Sequence, residues 1–322
     1  MTISEWAQQW MENDVCPKVR PTTYAAKRYI LQNHILSKLG GIPLDCLTEK
    51  MVGTFLDERK RCGSSRPESA DYPGLSDVTM RHIHRNLQEC LDRAVDAGLM
   101  VENPARAFHY ATKRKATANV LSNREIDDYL DAAEELGLLP MFALMLTVGL
   151  RQRELLALKW SDLDENTGML SVAEERVVVK GTLVDYGGVT REISLTVATV
   201  ALLRQEHDRH PSSELMFMHP GTQKPFTPAM VRMFHQRIIE KAGLEPLRFE
   251  DLRHTAAVHA LQNGDAVGAL SVQLGHSRPS MTRQLYADYL PKNDGESVGK
   301  QEQPTDIELQ KAADQLGTML KF

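Results

Sequence analysis

The sequence lacks the features that mark several classes of protein. Its four cysteines are widely and irregularly spaced over 322 residues and form no C-x-x-C pair, which argues against a zinc site and against a disulfide framework. There is no uncharged apolar run of about eighteen residues, and Met1 opens directly onto a polar segment, so we expect neither a membrane span nor a secretory signal. A cytoplasmic protein with reduced thiols is the resulting expectation.

A positive net charge is also missing, since the chain carries a formal charge of −5. The charge is nevertheless uneven: residues 1–118 contain 17 Lys/Arg and 14 Asp/Glu, a net of +3, whereas residues 119–322 contain 21 and 29, a net of −8. Basic residues are densest at 18–28, 58–66 and 113–115. On charge alone, a nucleic-acid partner and ordinary solvated helix faces both remain open.

Neither an internal repeat nor a low-complexity segment occurs, and hydrophobic periodicity divides the chain into two domains. Residues 1–104 predict a bundle of about four helices, one of them capped by Ser76. Residues 105–119 show no periodicity and are predicted to be an interdomain linker. A second domain follows at 120–292. The tail, 293–322, has helical spacing, which indicates either docking on another subunit or packing on its own domain.

The second domain is predicted to be mostly helical with a small sheet. Ser122 and Glu125 form an S-x-x-E capping box, and Thr227 precedes a proline at a helix start. Residues 169–195 are rich in β-branched residues, with turn signals at 166–168 and 186–188, and predict three antiparallel strands. A last helix is expected over 279–290. The fold class is therefore mainly α (α+β).

Five positions in the second domain place a cationic or nucleophilic side chain beside apolar structure. They are Arg151 in GLRQRE, Lys180 in VVVKGTLV, Arg253 in RFEDLRHT, His276 in LGH, and Tyr286 ten residues later. Glu154 lies one helical turn after Arg151, where it can orient the guanidinium. Taken singly, each position has an ordinary explanation as an ion pair, a solvated lysine or a core tyrosine.

Taken in order, G-L-R-x-x-E-L-L-x-L-x-W-x-D, a hairpin lysine, D-L-R-H-T, L-G-H and a tyrosine resemble the tyrosine recombinase family, in particular phage-type integrases. The resemblance covers nearly the whole chain, and residues 1–104 look like the helical core-DNA-binding domain of that family. It implies a site-specific DNA recombinase or integrase that cleaves and rejoins strands through a 3′-phosphotyrosine intermediate. No cofactor and no metal are implied.

The resemblance also implies a role for each site residue. Tyr286 is the expected nucleophile, Arg151 and Arg253 the groups that bind the non-bridging phosphate oxygens, Lys180 the proton donor to the 5′-oxygen, and His276 a hydrogen-bond partner of the phosphate. Glu154 is expected to support Arg151, and Asp251 and His254 to be helix-entry or packing residues. Tyr289, three residues after Tyr286, is a rival nucleophile.

Glu250 departs from the family pattern, in which the position three residues before the second arginine is most often histidine. A carboxylate can accept the tyrosine proton, but its charge repels a phosphate. Three interpretations stay open: Glu250 is a substitute base, it braces Arg253 or another cation, or the site is impaired. We favour an active enzyme in which Glu250 braces an arginine.

The implied partner is double-stranded DNA, bound by a homo-tetramer, with an accessory protein that sets direction or bends DNA. Candidate phosphate contacts are Lys18, Arg20, Lys27, Arg28, Lys113, Arg114 and Lys115. The chain begins at the core-binding segment, so we expect no separate domain for arm-type DNA sites. Two alternatives remain: a topoisomerase-like relaxase, and a DNA-binding regulator that lost its chemistry through Glu250.

Overall fold

The structure is a computed structural model that describes residues 1–63, 74–110, 119–179 and 181–290. These residues form two compact units, the first from residues 1–63 and 74–110 and the second from 119–179 and 181–290. Several predicted positions lie outside the described residues: Lys113, Arg114, Lys115, Lys180 and the tail 293–322.

The first unit is helical. Its helices are α1 (Ile3–Trp10), α2 (Pro21–Ile30), α3 (Leu36–Leu39), α4 (Glu49–Cys62) and α5 (Asp77–Asp96), with π-helical turns at Met11–Val15 and Leu31–Ile35 and 3-10 turns at Leu44–Cys46 and Pro104–Ala107. The second π-helical turn joins α2 to α3, so that the helical backbone is continuous from Pro21 to Leu39.

The core of this unit lies against α5, which buries one apolar face. Met80, Ile83 and Leu87 are fully buried on that face, and the indole N–H of Trp6 on α1 donates to the carbonyl of Cys90 at 2.9 Å. The hydroxyl of Ser76 accepts the backbone N–H at the third position of α5, which confirms the predicted N-cap.

The second unit contains eight helices among its described residues, and the predicted caps at Ser122 and Thr227 are confirmed. The helices are α6 (Asn123–Glu135), α7 (Leu139–Val148), α8 (Gln152–Leu155), α9 (Val197–Arg209), α10 (Pro228–Ala242), α11 (Phe249–Gln262), α12 (Val267–Gln273) and α13 (Pro279–Leu285). The apolar α7 is buried on all sides and packs on α6 and α11.

The sheet has three antiparallel strands in the order β1 (Leu163–Asp164), β2 (Met169–Val179) and β3 (Thr182–Ser194). The mainly α fold with a small antiparallel sheet is therefore confirmed. The turn predicted at 186–188 is wrong, because these residues lie inside β3 and Gly187 pairs with Glu174. The register shifts just after this pair, so the two glycines accompany an irregularity of the strand rather than its end.

The helix predicted over 279–290 is also shorter than expected. It ends at Leu285, and a 3-10 turn follows at Ala287–Tyr289. Tyr286 lies between the two with a non-helical backbone, and its ring is buried in a small apolar cluster formed with α11 and α12.

In the described part of the chain, every helix is too short or too polar to cross a bilayer.

Candidate active site

The turn between α7 and α8 positions the first predicted arginine. Gly149 ends α7 with a φ of +69°, and a Cβ at this position would lie 3.0 Å from a side-chain carbon of Leu274, so glycine suits both the conformation and the space. Arg151 then caps α8. Its backbone N–H donates to Glu154 Oε2 at 2.8 Å, and its Nη1 donates to Glu154 Oε1 at 2.7 Å.

Glu154 is buried and binds a second arginine as well. Arg191 on β3 donates to both carboxylate oxygens, from Nη1 to Oε1 at 3.0 Å and from Nη2 to Oε2 at 2.9 Å. The side chain of Arg191 is only 3% exposed. Burial raises the pKa of Glu154, but the hydrogen bonds and charges of Arg191 and Arg151 outweigh it and hold the pKa below its usual value. Glu154 is therefore ionised and bridges two guanidinium groups.

The turn after α12 gathers three arginines. Three consecutive backbone carbonyls each accept from a different one: Gln273 from Arg191 Nε at 2.6 Å, Leu274 from Arg253 Nη2 at 2.6 Å, and Gly275 from Arg151 Nη2 at 2.8 Å. Gly275 has a φ of +64°, and a Cβ there would lie 2.9 Å from Nη1 of Arg191. The glycine of the L-G-H motif thus lets the backbone approach the guanidiniums.

This cluster has an uncompensated positive charge. Three guanidiniums and the one carboxylate of Glu154 sum to a formal charge of +2. Burial and then the charge of Arg151 lower the pKa of Arg253 to about 10, so the arginine is still a cation at neutral pH. Hydrogen bonds to described residues use two of the five N–H groups of Arg151 and three of those of Arg253. The remaining N–H groups and the net charge are suited to an oxyanion.

His276 is connected to the cluster in a defined tautomer. Its Nε2 lies 3.1 Å from Nη2 of Arg253, which can only donate, and its Nδ1 lies 2.7 Å from Oγ1 of Thr282. The ring nitrogen Nε2 therefore accepts, and Nδ1 carries the proton and donates to the buried threonine. Burial and then the Arg253 cation lower the pKa of His276 to about 4, so the ring is neutral at pH 7.

Tyr286 is 2% exposed, and its hydroxyl lies 3.0 Å from Nδ1 of His254. The two rings meet edge to face with their centroids 5.6 Å apart. Burial raises the pKa of Tyr286 to about 12, which the nearby Arg253 cation opposes. Tyr289, the rival nucleophile, is half-buried on the 3-10 turn and packs against the same apolar cluster. Of the two tyrosines, Tyr286 is the one whose hydroxyl has a hydrogen-bond contact with a side chain of α11 among the described residues.

Glu250 takes no part in the hydrogen bonds that hold the arginine cluster among the described residues. Its side chain is exposed in the first turn of α11, and no hydrogen bond joins it to Arg253 within the described ranges. The hydrogen bonds that Arg248 donates to Asp251 raise the pKa of Arg248, and the charges of Asp251 and then Glu250 add to this effect. Asp251 is buried and binds Arg248 through both carboxylate oxygens, at 2.6 and 3.0 Å, which secures the start of the helix.

The predicted DNA contacts of the first unit differ in how exposed their side chains are. Lys27 is only 18% exposed, forms an ion pair with Glu89 and lies 5.5 Å from the ring centroid of Trp10. Lys18 is 58% exposed and pairs with Asp14 at 3.2 Å. Two further predicted contacts have exposed side chains: Arg20 and Arg28. Lys27 thus has a structural role within its unit.

Two site residues were not predicted from the sequence as part of the cluster, Arg191 and Thr282. A signal for Arg191 exists in REISL, where Arg191, Ile193 and Leu195 alternate with polar residues and so share the buried face of the strand. A buried arginine requires a carboxylate, and Glu154 supplies it. Thr282 carries no comparable signal. Within the described part of the chain, no His, Cys, Asp and Glu side chains are grouped as a metal ion would require.

Comparison with protein families finds two matches. Residues 119–292 match the phage integrase family, and residues 2–58 match the N-terminal SAM-like domain of phage integrases. The first match spans 174 of the 322 residues, more than half of the chain.

Comparison with individual proteins agrees with these matches. A tyrosine recombinase XerC-like protein of Caldanaerobacter subterraneus subsp. tengcongensis is 22% identical, over 92% of this chain and 82% of the relative. The Tn1549 transposon integrase in complex with a circular intermediate DNA aligns with a TM-score of 0.73 at 16% identity, over 98% of this chain and 99% of the other. A lambda integrase tetramer bound to a Holliday junction gives 0.68 at 18% identity, over 93% and 81%. The structural likenesses establish the fold.

Removal of the bridging carboxylate tests the cluster. We expect Glu154→Gln to lower the free energy of unfolding by about 3–5 kcal/mol, because it leaves buried guanidiniums without their anion. The matched control is Glu165→Gln, which removes an exposed ion pair with Arg204 and is expected to cost about 0–1 kcal/mol. Denaturant unfolding measures both variants. Equal effects of the two substitutions would contradict the bridging role of Glu154.

The neutral state of His276 predicts a dependence of stability on pH. Its folded pKa of about 4 lies below the ordinary value of 6.5, so the unfolded chain binds more protons between these two values. The free energy of unfolding should therefore fall as pH drops from about 6.5 towards about 4, by roughly 1–2 kcal/mol after allowance for solvent around the half-buried ring.

The same titration in variants isolates this contribution. His276→Asn should remove it from the pH dependence of unfolding, whereas His109→Asn, at an exposed position of the first unit, should leave the dependence unchanged. An unaltered pH dependence in His276→Asn would mean that His276 is not held neutral by its surroundings.

Proposed function

The chain belongs to the phage integrase family, and from that membership we propose that it is a site-specific DNA recombinase that cleaves and rejoins strands through a 3′-phosphotyrosine intermediate. The observation that carries this proposal is the arginine cluster of formal charge +2 beside the phenol of Tyr286. Two of its guanidiniums keep N–H groups available for a phosphate, and the third, Arg191, is occupied by Glu154 and by backbone carbonyls.

In the proposed reaction, Oη of Tyr286 attacks a DNA phosphodiester and the 5′-oxygen leaves. Negative charge builds up on the non-bridging oxygens, where Arg151 and Arg253 are proposed to donate hydrogen bonds. The backbone carbonyls that hold Arg253 orient its guanidinium without cancelling its charge. That charge is therefore available to the phosphate.

Three further roles rest on the family resemblance. Lys180 is proposed to protonate the leaving 5′-oxygen. His276 is proposed to bind a non-bridging oxygen, for which Arg253 must release Nε2 and the ring must gain or move a proton, since Nε2 accepts a hydrogen bond before DNA binds. Glu250 is proposed to brace a cation, and its effect on Arg248 supports this interpretation over a role at Arg253.

The partner of the chain is proposed to be double-stranded DNA, held by a helical domain of residues 1–104 and a catalytic domain of residues 120–292 joined by the linker 105–119. The side chains of Arg20 and Arg28 are exposed and suit phosphate contacts better than that of Lys27, which is only 18% exposed. A homo-tetramer on DNA is supported by the lambda integrase tetramer on a Holliday junction. The tail 293–322 is proposed to dock on a neighbouring subunit, an accessory protein to set direction, and the cytoplasm of a bacterial host to be the compartment.

Covalent capture tests this function without a known target sequence. Purified protein is incubated with a pool of randomised duplexes that carry a nick, so that cleavage releases a short fragment and traps the attached strand. We expect the wild type to form a denaturation-resistant adduct, Tyr286→Phe to form none, and Tyr289→Phe to retain it, because the hydroxyl of Tyr286 contacts His254 and its pKa is affected by Arg253.

The captured sequences then supply a defined site for a strand-exchange assay with two labelled duplexes. Exchange is expected and separates recombination from simple relaxation. The absence of an adduct from every duplex in the pool would contradict the proposed function and would favour a DNA-binding regulator.

A further inference from the structure

The phenol of Tyr286 has one hydrogen-bond partner among the residues that the structure describes, Nδ1 of His254 at 3.0 Å. His254 directly follows Arg253 on α11, so the helix that presents a phosphate-binding guanidinium also presents an imidazole to the nucleophile. The family resemblance implies only a helix-entry or packing role for this histidine. A proton acceptor is nevertheless needed here, since a buried phenol with a pKa of about 12 keeps its proton at neutral pH.

The other candidate acceptors are less well placed. Glu250, at the family histidine position, is exposed, and no hydrogen bond connects it with Tyr286 within the described ranges. His276 has both ring nitrogens engaged, one by Arg253 and the other by Thr282. The imidazole of His254 is therefore the described base within hydrogen-bonding distance of the attacking oxygen.

We propose that His254 is the general base of strand cleavage and accepts the phenolic proton of Tyr286 through Nδ1, an inference that rests on the proposed recombinase function. As Oη–P forms, the Oη–H bond breaks and its proton moves to Nδ1. The P–O5′ bond breaks with both electrons going to O5′, which takes a proton from the general acid proposed to be Lys180. During rejoining the 5′-hydroxyl attacks phosphorus and returns its proton to the group proposed to be Lys180, the Oη–P bond breaks, and the imidazolium returns its proton to the tyrosine oxygen.

The charged groups near His254 are compatible with this proton transfer. Arg253 precedes His254 on α11, and the charge of His254 is among the smaller causes that lower the pKa of His276, after burial and the cations of Arg253 and Arg151. A bound phosphodiester adds a negative charge next to these cations. Glu250 is four residues before His254 on α11, and side chains at this spacing are neighbours on a helix surface. A carboxylate at position 250 can thus stabilise the imidazolium.

The test separates proton transfer from positioning. His254→Asn keeps a polar atom close to the position of Nδ1 but cannot accept a proton at neutral pH. The matched control is His259→Asn, one turn further along α11, whose ring contacts the carbonyl of Leu121 and not the phenol. Single-turnover cleavage is measured on the nicked duplex recovered by covalent capture, from about pH 6 to pH 9, and DNA binding is measured separately.

We expect His254→Asn to bind that duplex as the wild type does and to cleave it about 10²- to 10⁴-fold more slowly at pH 7. The cleavage rate of His254→Asn should rise about tenfold per pH unit. In this variant only the ionised phenol of Tyr286 attacks, and the pKa of that phenol is about 12. Wild type and His259→Asn should show a weaker dependence. Added imidazole should accelerate His254→Ala, whose side chain leaves room for it.

Two results would overturn the inference: a wild-type rate in His254→Asn, or a loss of rate that keeps the wild-type pH profile and does not respond to imidazole in His254→Ala. In either case the wild type still forms the covalent adduct. Failure of the proposed recombinase function is a different outcome, since the wild type itself then forms no adduct with any duplex.

Discussion

The buried carboxylate of Glu154 is the interaction on which the site depends. It binds Arg151 and Arg191 at once, and among the described residues it is the one carboxylate that forms a hydrogen bond within this cluster of three arginines. Guanidinium cations that are buried close together without an anion repel each other strongly, because the protein interior screens charge poorly. One carboxylate offsets part of that repulsion and leaves a positive charge in excess. The fold therefore keeps a net positive charge in the cluster that a bound phosphate can neutralise.

Backbone carbonyls also hold the three guanidinium groups in place. The turn at Gln273–Gly275 offers three consecutive acceptors to three arginines, and a glycine with positive φ allows the close approach. Carbonyl dipoles fix the direction of a guanidinium but do not cancel its charge, unlike a second carboxylate. The neutral His276 fits the same pattern, since its ring adds a hydrogen-bond acceptor and no further cation next to Arg253.

Local signals in the sequence were sufficient for much of the fold, but not for the contacts that complete the site. Capping residues such as Ser122 predicted helix starts, and the order of the motifs placed Arg151, Arg253 and His276 together, as the structure has them. The role of Arg191 depends on Glu154, 37 residues away, and the contact between His254 and Tyr286 spans 32 residues, so tertiary packing decides both. The turn predicted at Gly187 was wrong because glycine occurs at strand irregularities as well as in turns. Lys180 stays a prediction, since it lies outside the described residues.

The most direct test of the central claim is an experimental structure of the protein trapped on cleaved DNA. The proposed mechanism predicts a bond between phosphorus and Oη of Tyr286, with N–H groups of both Arg151 and Arg253 within about 3 Å of the non-bridging oxygens. A phosphate bonded to another residue, or one that leaves the two guanidiniums bound only to their carbonyls and to Glu154, would contradict it.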